Sequence, residues 1–97
     1  MKIWLDDIRT APQGYECVKS VNQAKRLIEN SEQNNIKIEI LDLDHDLGDF
    51  ASDGGDGIKL LDWLVERQTF YPINLHTANP VGKDNMQRMI ERYWKNS

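Results

Sequence analysis

The stretch Ile36-Lys37-Ile38-Glu39-Ile40-Leu41-Asp42-Leu43-Asp44-His45-Asp46 contains the clearest predicted strand of the chain and, directly after it, a dense group of acidic and imidazole side chains. Residues 36–43 are rich in Ile and Leu and predict a strand. The strand runs directly into Asp44-His45-Asp46, side chains that can bind cations or move protons. In open sheets of parallel strands, ligands bind beyond the carboxyl ends of the strands, so this junction is a candidate site.

Strands and helices alternate along the rest of the chain. Three further strands are predicted, over residues 2–5, 15–18 and 72–76. Three helices are predicted to begin near Ser20, Gly57 and Pro80, because apolar residues then recur at helical spacing. The alternation predicts a layered α/β fold with parallel strands joined by helices.

Length and composition indicate an ordinary globular domain. With 97 residues, of which 39% are hydrophobic and 29% charged, the chain forms one domain over residues 1–97. No apolar run exceeds three residues, which excludes a transmembrane helix and a secretory signal peptide and predicts a cytoplasmic protein. The net charge of −4 counts against a broad nucleic-acid-binding surface. The single cysteine, Cys17, excludes a disulfide framework and is expected to be buried.

Acidic residues are concentrated in one segment. Six aspartates and no Lys or Arg lie between Asp42 and Asp56, so the segment is either solvated or neutralised by a metal ion. Parallel strands would bring Asp6, Asp7 and Asp44 to one edge of the sheet, where carboxylates suit Mg²⁺ or Mn²⁺. The alternative is that these aspartates form turns and helix caps facing water.

The two histidines, His45 and His76, each follow a predicted strand. An imidazole there can donate or accept a proton during phosphoester cleavage, or serve as a structural hydrogen-bonding group. Zinc held by both histidines and an aspartate is a weaker alternative, because no close pair of ligands supports it.

Phosphate-binding candidates follow the last predicted strand. Asn79-Pro80-Val81-Gly82-Lys83 opens a helix, whose first N–H groups, glycine and lysine can cradle a phosphate. An ordinary strand-to-helix turn is the alternative. Arg9 can hold a phosphate in its guanidinium fork or pair with Asp7. Trp4, Trp63 and Trp94 are expected to pack in the core or on helix faces.

Three motifs together resemble the cyclic-phosphate processing receiver domain family, a catalytic offshoot of the response-regulator receiver fold. They are Leu5-Asp6-Asp7-Ile8-Arg9, Leu43-Asp44-His45-Asp46-Leu47-Gly48, and His76-Thr77-Ala78-Asn79-Pro80-Val81-Gly82 with Asn85. The resemblance implies a three-layer, receiver-like (flavodoxin-like) fold with a small, mostly parallel sheet. About four strands and three helices are expected, a truncated version of a full receiver.

The resemblance also implies roles for individual residues. In receivers the acidic pair after the first strand helps to hold Mg²⁺, and Asp44 stands where the phosphoacceptor aspartate would be. Thr77 resembles the hydroxyl residue that ends the fourth receiver strand. The helix expected after the first strand is missing, and so is the late strand that carries the receiver lysine. Histidines and an asparagine that ordinary receivers do not need favour hydrolysis over phosphotransfer.

The leading hypothesis is therefore a phosphoric ester hydrolase that opens cyclic phosphates of nucleotides or of RNA 2′,3′-cyclic ends, with a role in RNA processing. Its predicted catalytic residues are His45, His76, Asp46 and Asp44. Its predicted phosphate-binding residues are Arg9, Thr77, Asn79, Gly82, Lys83 and Asn85, and its predicted Mg²⁺ or Mn²⁺ ligands are Asp6, Asp7 and Asp44.

Two alternatives remain open, a receiver module phosphorylated on Asp44 and a non-catalytic module that binds a phosphorylated ligand. The expected partner is a small phosphorylated ligand or an RNA end. A monomer or a homodimer is expected; an exposed Tyr93 or Trp94 could serve a dimer interface, although nothing in the sequence requires one.

Overall fold

Four parallel strands form one sheet in the computed structural model, which describes residues 1–94. The elements are β1 (Lys2–Leu5), β2 (Tyr15–Val18), α1 (Val21–Gln33), β3 (Ile40–Leu43), α2 (Ile58–Glu66), β4 (Ile73–Leu75) and α3 (Pro80–Tyr93). The strand order is β2-β1-β3-β4, and each neighbouring pair is parallel. The predicted α/β class, with a small parallel sheet and three helices, is confirmed.

All three helices pack on the same face of the sheet. Ile3 and Leu5 of β1 and Leu41 and Leu43 of β3 are fully buried and belong to one apolar cluster. The helices contribute Val21, Ala24, Ile28, Leu60, Leu61, Leu64 and Met86 to this cluster. The crossovers β2–α1–β3 and β3–α2–β4 advance in the same direction across the sheet, so right-handed connections place both helices on one side.

The opposite face of the sheet carries no helix among residues 1–94. Trp4, Asp42 and Asn74 are register partners on β1, β3 and β4 and lie side by side on this face. A loop, residues 6–14, connects β1 to β2 and covers part of the face, because the Trp4 indole N–H donates to the carbonyl of Arg9. The layering thus differs from the expected three layers, since a loop stands where a second layer of helices would lie.

Cys17 lies on this open face as the register partner of Trp4, and its side chain is exposed. The prediction that Cys17 is buried is wrong. Its strand β2 is at the edge of the sheet, and no helix covers the side to which Cys17 points. A free thiol at such a position is accessible to solvent.

Local signals set the ends of the elements. Ser20 caps α1 by accepting from the N–H of Gln23, and Asn79 caps α3 by accepting from the N–H of Gly82.

The strand predicted over 36–43 begins only at Ile40. The preceding N–H of Glu39 donates to the carbonyl of Met1, outside the β1–β3 register. The predicted loop over 48–57 contains a short 3₁₀ turn, Gly48–Ser52.

No helix within residues 1–94 combines the length and the apolar character needed to cross a bilayer.

Candidate functional site

The carboxyl ends of β1, β3 and β4 meet at one edge of the sheet. The N–H of Asp44 donates to the carbonyl of Leu5, and the N–H of His76 donates to that of Leu43, so the strand ladder continues one residue beyond each strand. Asp6, Asp44 and His76 therefore come together, with one ligand atom from each lying within 4.8 Å of the others. We call these three residues the inner cluster.

Both ring nitrogens of His76 face carboxylates. Nδ1 lies 2.6 Å from Oδ1 of Asp42, and Nε2 lies 2.9 Å from Oδ2 of Asp6. The imidazole also stacks on the Trp4 ring, with the centroids 3.7 Å apart and the planes inclined by 3°. His76 is thus fixed in position by three separate side chains.

Asp6 is almost fully buried, and both of its carboxylate oxygens have hydrogen-bond partners within the protein. Its Oδ1 accepts the N–H groups of Ile8 and Arg9, both at 2.9 Å, while its Oδ2 faces His76. Burial acts to raise the pKa of Asp6, but the two backbone donors and His76 together outweigh it, and the pKa lies below its ordinary value. Asp6 is consequently a carboxylate at neutral pH.

Asp44 occupies the centre of this edge. It is buried, and its Oδ1 accepts the N–H of His45. Helix α2 begins directly against it, because a Cβ added at Gly57 would lie 1.9 Å from the Asp44 carbonyl oxygen. Gly57 is required here for the close approach of two backbones.

A second group, His45, Asp46 and Asp56, also has its ligand atoms within 4.8 Å of one another. We call it the outer cluster. His45 Nδ1 lies 2.7 Å from Asp46 Oδ1, the side-chain amide of Asn79 donates to Asp46, and Asp56 accepts the N–H of Leu47. The hydrogen bonds from His45 and then Asn79 lower the pKa of Asp46.

Comparison with known proteins identifies the family of the chain. The sequence model of the cyclic-phosphate processing receiver domain matches residues 1–92. The chain belongs to this family. Neither the comparison with curated proteins nor the comparison with solved structures gave a match.

Of the three metal ligands that we predicted in this receiver-like domain, two lie in the inner cluster. Asp6 and Asp44 come together as expected. Asp7 is not part of that group; its carboxylate lies beside Gly48, where an added Cβ would be 2.6 Å from Oδ2. The third member is His76.

Three of the predicted phosphate-binding residues, Thr77, Asn79 and Gly82, lie next to the outer cluster. Thr77 Oγ1 accepts the N–H of Asn79, and Asn79 Oδ1 accepts the N–H of Gly82. Gly82 packs against the imidazole of His45, because an added Cβ would be 2.5 Å from its Cγ. The absence of a side chain at Gly82 therefore leaves space for the His45 ring.

The remaining candidates lie at the periphery. The Arg9 guanidinium donates to the carbonyl of His76 at 2.6 Å, which holds the loop after β1 to the end of β4. Lys83 and Asn85 are exposed in the first turns of α3. Their roles in binding phosphate stay predictions.

Three residues of the two clusters and their surroundings were missed as site residues, namely Asp56, Asp42 and Trp4. Asp42 was counted only within the acidic segment, and Trp4 was expected only to pack in the core or on a helix face; both contact the His76 ring. The signal for Asp42 was present in the sequence, since a charged residue alternates with leucines inside a strand and shares a face with Asp44. Trp4 carries no such signal.

Proposed function

We propose that this domain hydrolyses cyclic phosphate esters, of nucleotides or of RNA 2′,3′-cyclic ends. Family membership supports the class of substrate. The observation that carries the proposal is the meeting of Asp6, Asp44 and His76 at the carboxyl ends of three parallel strands. In the reaction, water adds to phosphorus, one ester P–O bond breaks, and a proton passes to the departing oxygen, so a cyclic diester becomes a monoester.

A divalent cation, Mg²⁺ or Mn²⁺, fits the inner cluster. Two carboxylates and an imidazole nitrogen offer ligand atoms within 4.8 Å of one another, and the pKa of one of these carboxyls, Asp6, is lowered. Mg²⁺ and Mn²⁺ are bound by few protein carboxylates together with water and substrate phosphate. The cation would polarise the phosphoryl group and increase the acidity of a neighbouring water.

We assign proton transfer to His45. Asp46 holds its Nδ1, and within residues 1–94 no hydrogen bond reaches its Nε2. That nitrogen can therefore exchange a proton with the departing oxygen or with water. His76 is less suited to this role, because both of its nitrogens already face carboxylates.

The anionic ester requires positive or N–H groups near the carboxylates. Arg9 has further N–H groups beside the one that donates to the carbonyl of His76. Lys83 lies at the start of α3, whose positive dipole end favours an anion. The side-chain amide of Asn79 donates to both carboxylate oxygens of Asp46 and thereby holds the partner of His45 in place.

Incubation with 2′,3′- and 3′,5′-cyclic nucleotides, with Mg²⁺, Mn²⁺ or a chelator, tests the proposal. We expect metal-dependent formation of the nucleoside monophosphate by the wild type and by Asp62→Asn, an exposed aspartate on α2. Asp44→Asn should reduce turnover to background. Folded wild-type protein that converts none of these substrates would contradict the proposal.

Incubation with acetyl phosphate tests the alternative of a phosphorylated receiver. A hydrolase should show no stable phosphoryl adduct by mass spectrometry. An adduct that disappears in Asp44→Asn, with no turnover of cyclic nucleotides, would instead support signalling.

A further inference from the structure

Asp42 is a buried carboxylate for which the proposed reaction has no role. It lies inside β3, and both of its oxygens are engaged. Oδ1 lies 2.6 Å from His76 Nδ1, and Oδ2 accepts the side-chain amide of Asn74 at 3.1 Å. A charge within a strand is costly unless it is well paired, so this arrangement calls for a specific reason.

We propose that Asp42 is a positioning residue that fixes the tautomer and the orientation of His76, so that Nε2 points towards Asp6 and Asp44. The inference rests on the proposed metal-dependent function, because it concerns how the inner cluster presents its nitrogen to a cation. It adds Asp42 and Trp4 to the residues on which this cluster depends.

The chemistry of imidazole explains why a carboxylate is needed at Nδ1. A neutral ring has one N–H and one lone pair, and the partner of one nitrogen determines which nitrogen carries the proton. Asp42 accepts the proton of Nδ1, so Nε2, which faces the Asp6 carboxylate at 2.9 Å, is the nitrogen that would give up its proton to bind a cation. Histidines that bind metals commonly donate their other N–H to a carboxylate, which also raises the basicity of the ligand.

Trp4 supplies the second constraint, on the plane of the ring. Its indole lies parallel to the imidazole, and its N–H donates to the carbonyl of Arg9, whose guanidinium in turn donates to the carbonyl of His76. These contacts close a ring from Trp4 through Arg9 to His76. Rotation of the imidazole about its side-chain bonds would break the stacking and the Asp42 bond together.

Imidazole NMR of the ¹⁵N-labelled, metal-free protein tests the tautomer without any need for activity. The sequence has two histidines, so a His45→Gln variant assigns the signals. We expect His76 to carry a hydrogen-bonded proton on Nδ1 in the wild type. We expect this signature to be lost in Asp42→Asn and kept in Asp62→Asn, which makes the same charge change at an exposed position.

Binding of Mn²⁺, followed by electron paramagnetic resonance, tests the consequence. Loss of an outer partner of a metal-binding histidine typically reduces metal affinity by about 10–100-fold, and we expect a loss in this range for Asp42→Asn. Trp4→Phe, which keeps a ring for stacking, should lose less affinity than Trp4→Ala. Asp62→Asn should bind Mn²⁺ as the wild type does.

The two measurements separate the failure of this inference from the failure of the proposed function. If the wild type binds no Mn²⁺, the metal-dependent function is contradicted, and the NMR spectra still decide whether Asp42 sets the tautomer. A wild-type His76 that lacks a proton on Nδ1 overturns the inference even if Asp42→Asn does not fold. An Asp42→Asn protein with unchanged Mn²⁺ affinity overturns it as well.

Discussion

The inner and outer clusters each combine one histidine with two aspartates, but they hold the imidazole in different ways. The His76 ring lies between the carboxylates of Asp42 and Asp6 and stacks on Trp4. All four residues lie on strands or directly after them. His45 has one carboxylate partner, Asp46, which is itself exposed and lies in a loop. The inner cluster thus fixes the position of the His76 ring, whereas the outer cluster leaves Nε2 of His45 without a hydrogen bond among residues 1–94.

In the proposed hydrolase, this difference predicts separate roles for the two clusters, metal binding for the inner one and proton transfer for the outer one. A cation requires ligands whose positions do not change, and strand ends provide such positions. Proton transfer requires a nitrogen that can meet both substrate and water, and a ring with a free Nε2 provides it. Substitution of the two histidines should therefore affect different quantities.

The largest expected effect is on the proton-transfer step. His45→Gln should lower kcat by about 10²–10⁴-fold, the usual contribution of general acid–base catalysis, and should leave Mn²⁺ affinity close to that of the wild type. Steady-state kinetics with the most rapidly converted cyclic nucleotide and a Mn²⁺ titration measure the two effects. A kcat within about twofold of the wild type would exclude His45 from this role.

The second-largest expected effect is on the affinity for the metal ion. His76→Asn should weaken Mn²⁺ binding by at least about 10–100-fold, because a ligand of the inner cluster is lost rather than its outer partner. Saturating Mn²⁺ should restore part of the activity of this variant, whereas it should not restore that of His45→Gln. Equal Mn²⁺ affinity in both variants would remove the distinction between the two clusters.

The parallel strands and the meeting of their carboxyl ends could be anticipated from the sequence, whereas the strand order β2-β1-β3-β4 could not. Apolar runs at 2–5 and 36–43 that end in Asp6 and Asp44 predict parallel strands, and parallel strands align their carboxyl ends. The resemblance of the three motifs to the family further predicted that the parallel sheet is receiver-like. The location of the inner cluster was thus predictable, with Asp6 and Asp44 expected as metal ligands and His76 expected as a catalytic residue at the same edge.

Other features depend on contacts that no local pattern encodes. Asp42 and His76 are far apart in the chain, and their bond across neighbouring strands follows only once the register of β3 and β4 is known. Gly82 fits a phosphate cradle in the sequence, but the nearby His45 ring accounts for it in the structure. The exposure of Cys17 depends on the missing layer of helices on its side of the sheet.

The smallest expected effect concerns the stability of the fold in acid. The pKa of Asp6 and that of Asp46 both lie below the ordinary value of 3.8, so each carboxylate stabilises the fold above that value, and its contribution is lost as the pH falls through the lowered pKa. Asp6→Asn should flatten the decline of the unfolding free energy below pH 3.8. Asp46→Asn should flatten it less, because its interactions are exposed and screened by solvent.

Urea unfolding of the wild type and the two variants across this range, at constant ionic strength, measures the slopes. A steeper decline in Asp6→Asn than in the wild type would contradict the sign of this assignment. An effect of Asp46→Asn as large as that of Asp6→Asn would mean that the outer cluster is as well shielded as the inner one.

The location of a bound cation tests the account most directly. Crystals grown with Mn²⁺ allow the ion to be located by its anomalous scattering. We predict a site in contact with Asp6, Asp44 and the Nε2 of His76, with Asp42 still bound to Nδ1. An ion held instead by His45, Asp46 and Asp56, or no ordered ion at saturating Mn²⁺, would contradict it.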